Sequence, residues 1–179
     1  GKLSIEDRFL LGQSLEHYRH LVNQVEEITA VIKQYVLERF EREYSLLIEL
    51  PGVSAIVACV ILSEIGPNVE AFQSQGNLAS WAGVCPGSYE SAGIKKSSHT
   101  TQGNKYLKSS LFQAGGIAGR SKDEAFHNLY ARISGRSSKM KAIIACAHKM
   151  IRIIYKILST GEHYDAKKAL GLRQQARAN

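Results

Sequence analysis

The sequence predicts a mainly α protein: a long N-terminal helix of coiled-coil type, then a compact helical domain with a helix-hairpin-helix-like element and room for one short β-hairpin. Three observations carry that expectation. Only 3 prolines interrupt 179 residues, of which 44% are hydrophobic and 22% charged, enough apolar material for one good core and too much for wholesale disorder. From Ser4 to about Tyr44 there is no proline, and the only glycine is Gly12. Beyond that point apolar residues recur at helical spacing in segment after segment. No stretch approaches the roughly 18 uninterrupted apolar residues of a membrane span. No basic-then-apolar leader opens the sequence, and Gly1 rather than Met stands first, which is expected of either an excised fragment or a processed chain. Cys59, Cys85 and Cys146 lie far apart in apolar surroundings without CxxC spacing. Neither a disulfide scaffold nor a structural zinc site is expected, and a reducing cytoplasm is the simpler setting.

In the first helix, residues 1–45, Leu11, Leu15, Tyr18, Val22, Val25, Ile32 and Val36 follow alternating steps of four and three, with Thr29 and Arg39 as missed beats. A seam recurring every 3.5 residues keeps one stripe toward a partner helix. Leu21, Ile28 and Tyr35 widen that stripe. At 1.5 Å per residue, about 40 residues span about 60 Å, so the helix must project or pair, and self-association as a dimer or tetramer is expected. A helical hairpin is the alternative, but no turn residues mark a break.

Residues 46–160 form the second predicted domain. An apolar run ends at Leu50, Pro51-Gly52-Val53-Ser54 makes a turn, and a helix starts near Ala55 with Ser54 as its N-cap. Gly52, Val53 and Ser54 are candidate phosphate contacts, because a glycine turn and the N–H groups of a helix start favour an anion. The pattern departs from helix-hairpin-helix usage in having Ser54 where a second glycine is usual, and an ordinary helix–turn–helix corner fits the turn equally well. A short helix is expected around Gln75–Ala82, with Trp81 in the core. Residues 87–105 are a polar, basic loop or β-hairpin with Ser91, Lys95, Lys96 and His99. A serine in such a loop is by default a turn-former, and no clear base stands beside it in sequence.

The remaining chain is basic and helical. Residues 91–179 hold 17 Lys and Arg against 4 acids, whereas residues 1–90 are net acidic, within a total charge of +7. That asymmetry points to a polyanionic partner, DNA or RNA. Thr101-Gln102-Gly103-Asn104 reads as a helix start, leading to Leu107, Leu111 and Ala114 toward the core and Lys105 and Lys108 outward. Gly115, Gly116 and Gly119 indicate either a close helix contact or a break. Another short helix is expected over 123–133, and a strong one over Lys139–Ser159 with Lys149, Arg152 and Lys156 on its polar face. Those three cations could track a phosphate backbone, or simply be solvated. A basic, flexible tail is expected over 161–179.

Four motifs in order, PGVSAIVACVILSEIG, LASWAGVCPGSYESAG, TTQGNKYLKSSLFQAG and KAIIACAHKMIRIIYKIL, resemble the C-terminal half of the DEDD-type insertion-sequence transposases, the group that includes the Piv DNA invertase. The resemblance covers about residues 46–160, and the long helix matches the coiled-coil linker that precedes this domain. It implies a recombinase with an N-terminal RuvC-like domain bearing a metal-binding Asp-Glu-Asp-Asp set. It also implies an active-site serine in a Ser-(Ala/Ser/Gly)-Gly motif, the place held here by Ser91 in Ser91-Ala92-Gly93, which attacks a DNA phosphate. A structured guide RNA encoded by the element is implied as well. Residues 1–50 show no strand pattern able to carry the acidic set, and Glu64, Glu70, Glu90, Asp123, Glu124, Glu162 and Asp165 form no cluster in sequence. No cofactor is therefore expected in this part, Mg²⁺ being expected for the RuvC-like domain, and this part is expected to bind nucleic acid without cleaving it unaided. A non-catalytic helix-hairpin-helix module that binds DNA and dimerises is the competing expectation.

Overall fold

A computed structural model describes residues 3–85, 89–91, 94–97, 100 and 102–175, with the backbone alone described for 89–91, 94–97 and 171–175. Helix α1 spans Ile5–Ile48, but its backbone leaves helical geometry at Phe40 (φ −137°, ψ 35°). The chain divides there into two units, Gly1–Arg39 and Phe40–Asn179. This boundary falls earlier than the 45/46 division expected from sequence, and the uninterrupted helix expected to about Tyr44 is broken. Burial gives the reason: Tyr44, Leu46 and Leu47 are core residues, so the last turns of α1 belong to the second unit.

In the first unit Ser4 caps α1 reciprocally with Asp7. The Asp7 amide donates to Ser4 Oγ and the Ser4 amide to Asp7 Oδ2, both at 3.1 Å, the capping-box arrangement with Asp in the acidic place. Gln34 donates to Glu38 at 2.9 Å, and the Arg39 guanidinium lies 3.8 Å from the centre of the Tyr35 ring. Leu11, Leu15, Tyr18, Leu21, Val25, Ile28, Ile32 and Tyr35 are all exposed.

The second unit continues with α2 (Ala55–Ile65), α3 (Gln75–Trp81), the strands β1 (Tyr89–Ser91) and β2 (Ile94–Ser97), then α4 (Lys105–Arg120), α5 (Glu124–Ser134), α6 (Lys139–Thr160) and α7 (Ala166–Gln175). Each helix from α2 to α6 starts on a side chain that accepts from its first-turn amides: Ser54, Ser74, Asn104, Asp123 and Ser138 respectively. These are the residue types that cap best, because a short side-chain oxygen reaches the unpaired amides. Helix α6 ends at Gly161, which adopts the left-handed conformation (φ 67°), the common helix stop.

Helices α4, α5 and α6 pack on one another, α3 rests on α6, α2 on α4 and α7 on α5. Leu107, Leu111 and Ala114 of α4, Met150, Ile151 and Ile154 of α6 and Phe126 of α5 are all fully buried where these three helices pack. The glycines of α4 make a contact rather than a break: a Cβ on Gly115 would stand 2.8 Å from the Ala147 amide nitrogen of α6. The tail expected to be flexible from residue 161 instead contains α7, with Ala169 buried. His163 and Glu49 pair at 2.7 Å, and the Tyr164 hydroxyl donates to Asp123 Oδ2 at 3.0 Å, tying this segment to the ends of α1 and α5. Burial, then the bond to Asp123, pushes the Tyr164 phenol up from its ordinary value. Among the described residues no helix is long and apolar enough to cross a membrane.

Candidate nucleic-acid interface

The turn between α1 and α2 is shaped first by the protein's own packing. Gly52 has φ 85°, and a Cβ there would lie 2.3 Å from Ala114 O and 2.9 Å from Ala118 N of α4. Only glycine combines that backbone angle with so close an approach. Val53 is buried, and its amide donates to Leu50 O at 3.0 Å. Ser54 is exposed and its Oγ accepts from the Val57 amide at 3.3 Å. What this corner presents outward is the start of α2, whose first amides have no intrahelical acceptor, as at any helix N-terminus.

The second feature is the hairpin that carries Ser91. β1 and β2 run antiparallel with Glu90 opposite Lys95 and Ser91 opposite Ile94. Ser91 therefore closes β1 and Lys95 and Lys96 lie on β2, while His99 lies outside the described residues. The hairpin leaves the end of α3 and returns to the start of α4, and these two ends touch. The Asn104 amide donates to Trp81 O at 3.0 Å, and a Cβ on Gly103 would meet Gly83 N at 2.4 Å. Ala82 and Val84 are fully buried beside that junction, so the end of α3 is anchored in the core.

Trp81 itself is 40% exposed, contrary to the expected core position. Leu78 and Ala82, its apolar neighbours, occupy the buried face, and the indole lies to one side with the Phe72 ring at 5.4 Å. In the first turn of α4, Lys105 is exposed with its Nζ 4.9 Å from the centre of the Tyr106 ring, and half-buried Lys108 stands 5.9 Å from that of Phe112.

The three cations of α6 differ from one another. Lys149 Nζ donates to Ala125 O of α5 at 2.8 Å and lies 5.6 Å from the Phe126 ring centre. Burial pushes its pKa below the usual lysine range, with the charge of Asp123 and the Cys146 thiol opposing. Arg152 Nε donates to Gln75 Oε1 of α3 at 3.1 Å. Both are half-buried and hold helices together. Lys156 is exposed and sits 3.9 Å from Glu162. The structure thus puts Lys105 and Lys108 in the first turn of α4, which follows the Ser91 hairpin in the chain, and puts Lys149 and Arg152 in contact with α5 and α3. Sequence reasoning passed over Glu64, whose carboxylate accepts from the Asn104 side-chain amide. Asn104 is legible as a helix start, but a partner 40 residues away leaves no local signal.

Among the described residues no group of three or more His, Cys, Asp or Glu could hold a metal ion. The Mg²⁺ that the family resemblance implies finds no carboxylate cluster among them, and no chemical step here runs through it.

Comparison with known proteins matches residues 44–131 to the model of the transposase IS116/IS110/IS902 family. The chain is 30% identical over 158 residues to a pilin gene-inverting protein of Moraxella lacunata, covering 85% of this chain and 48% of that protein. A pilin gene-inverting protein of Moraxella bovis is 28% identical over the same coverage. The transposase for insertion sequence element IS1328 of Yersinia enterocolitica is 25% identical, over 85% of this chain and 46% of the relative. The chain spans about half the length of these curated relatives. The α1–α2 turn, the Ser91 hairpin, α4 and most of α5 all fall inside the matched stretch, so the part of this chain that is similar to the IS116/IS110/IS902 transposase family is the part that holds these features.

Proposed function

We propose that this chain is the C-terminal part of an insertion-sequence recombinase that binds DNA and a structured guide RNA and supplies Ser91 as the nucleophile of strand exchange. The observation that carries the reading is the placement of Ser91. It closes β1 of a hairpin that lies in the chain between the joined ends of α3 and α4, with Lys105 and Lys108 in the first turn of α4. A hairpin set between joined helix ends, followed by two lysines in the first turn of α4, suits the chemistry, since a reacting oxygen and a phosphodiester must be held in register. In the step itself the serine Oγ–H gives up its proton and an Oγ–P bond forms. The bond from phosphorus to the leaving nucleotide oxygen breaks, and that oxygen takes a proton. The phosphoester energy is kept in the protein–DNA link, so the same strand or a new one can be rejoined by reversal. The proton acceptor and the Mg²⁺ are assigned to the RuvC-like domain of the complete recombinase.

The exposed apolar stripe of residues 11–35 supports self-association through α1, because a run of uncovered Leu, Ile, Val and Tyr along one helix is most stable against a second copy. Action on DNA also puts the work of the protein in the bacterial cytoplasm.

Ser91→Ala in the full-length recombinase tests the reading. Recombination is expected to disappear while nucleic-acid affinity is retained. Unchanged recombination would favour the non-catalytic binding module, in which Ser91 only shapes a turn. For the chain alone, affinity for duplex DNA is expected to fall with salt at a slope of about −0.9 per phosphate contacted, and a flat profile would remove the nucleic-acid surface from it.

A further inference from the structure

We propose that Asn104 and Glu64 form a positioning clamp that sets the orientation of the Ser91 hairpin, an inference that rests on the reading of Ser91 as nucleophile. Asn104 makes five contacts through one residue. Its Oδ1 accepts from the amides of Tyr106 at 3.0 Å and Leu107 at 2.9 Å, starting α4. Its own amide donates to Trp81 O at the end of α3, and its carbonyl accepts from the Lys108 amide, both at 3.0 Å. Its Nδ2 donates to the Glu64 carboxylate, in the last turn of α2. The ends of α2 and α3 and the start of α4 are therefore joined, and the hairpin lies in the chain between the two joined ends of α3 and α4.

The chemistry explains the residue. Ser, Thr, Asp and Asn all cap a helix well, but asparagine alone among them places an acceptor for the helix amides and a donor for a carboxylate on two separate atoms, whereas a hydroxyl must serve both from one oxygen. Aspartate would set two anions against each other, and serine would cap without reaching Glu64. The half-buried Glu64 in turn has a fixed donor to accept from. Gly103 tightens the joint from the other side, because a Cβ there would lie 2.5 Å from Trp81 O. Capping alone requires none of this. What the additional bond fixes is the joint of α2, α3 and α4 that flanks the hairpin in the chain, and by this proposal the joint sets where Ser91 is held relative to Lys105 and Lys108. An error of about 1 Å in such a placement costs on the order of 10²-fold in rate.

Two variants that keep the net charge, one single and one double, separate this role from simple capping. Asn104→Ser retains the cap and loses the bond to Glu64. The pair Asn104→Asp with Glu64→Gln reverses the bond, with the glutamine amide now donating to the aspartate carboxylate. Trp81 is the sole tryptophan and lies at the joint, so its emission reads the clamp without any activity assay. With Asn104→Ser we expect unchanged helix content by circular dichroism, a shifted Trp81 emission and faster amide exchange in β1 and β2. In the full-length recombinase we expect recombination to fall about 10²-fold with nucleic-acid affinity unchanged. The reversed pair should restore all three readouts. Native emission and exchange in Asn104→Ser, or failure of the reversed pair to recover them, would overturn the clamp. Recombination that survives Ser91→Ala would instead remove the nucleophile reading, while emission and exchange still decide the clamp.

Discussion

Residues 5–39 of α1 and the whole of α6 are written in nearly the same rhythm, and the structure treats them in opposite ways. On α6 the apolar positions Ala147, Met150, Ile151, Ile154 and Leu158 are buried, with α3, α4 and α5 packed against them. On α1 the positions Leu11, Leu15, Tyr18, Val25 and Ile32 are exposed. Periodicity reports that a helix has a face to cover; it does not report which chain covers it. The difference divides the molecule by the source of its stability. The second unit holds a core of its own, whereas the first depends on what packs against it, because isolated helices draw most of their stability from tertiary contact.

Core truncation should show that division most strongly. Leu111 is fully buried, and Leu111→Ala is expected to destabilise the second unit by about 2–5 kcal/mol, the transfer loss plus the cavity left behind. Leu15, 53% exposed, should behave differently. Leu15→Ala should move the same urea transition by less than about 0.5 kcal/mol while weakening self-association in sedimentation equilibrium. Equal shifts of the urea midpoint by the two variants would dissolve the comparison.

A glycine pair sharpens it at smaller scale. Gly52→Ala puts a Cβ at a positive φ and into the backbone of α4. Left-handed strain alone costs about 1–3 kcal/mol for a residue with a side chain. Gly12 lies inside α1 with nothing within 4 Å of its would-be Cβ, so Gly12→Ala should stabilise that helix by roughly 0.5–1 kcal/mol. Denaturation followed by circular dichroism should show the two changes with opposite signs.

Where caps and rhythm agree, the fold was legible. Ser138, the apolar beat of α6 and Gly161 delimit Lys139–Thr160, one residue beyond the sequence reading. Phe40 could not be found that way, because an aromatic in a helical pattern carries no mark of a break. Helix α7 was missed because Ala169 and its neighbours offer almost no apolar stripe, and its helix is supported by contact with α5. The site was legible in composition and opaque in geometry. Lys149 and Arg152 read as a surface ladder, yet their acceptors lie 24 and 77 residues away in sequence. Trp81 read as core from its chain neighbours, although adjacent helical residues point about 100° apart.

Capping gives a further test on the second unit. Ser54→Ala removes the acceptor for the Val57 amide and should cost about 1 kcal/mol. If the start of α2 also meets phosphate, the same substitution should lower nucleic-acid affinity as well, since the first turn would be less well formed. Loss of stability with unchanged affinity would reduce the corner to a structural turn.

Protonation sets the smallest effect, again on the buried side of the comparison. His148 lies half-buried on α6, and burial first, then the charge of Arg152, pushes its pKa below the ordinary value of 6.5. The unfolded chain takes up a proton near pH 6.5 and the folded chain only at lower pH, so in between the unfolded state binds more protons. Stability from this group is therefore complete above pH 6.5 and declines as pH falls through the folded pKa. Glu49, held below its ordinary 4.5 mainly by the hydrogen bond from His163, acts in the same direction at more acid pH. Its pair is exposed and should fade as salt is added. The urea midpoint should thus drop as pH is lowered from about 7 to about 5, and His148→Gln should flatten that interval while leaving the more acid limb in place. An unflattened interval in His148→Gln would assign the sensitivity to another group and remove His148 from the pH response of the core.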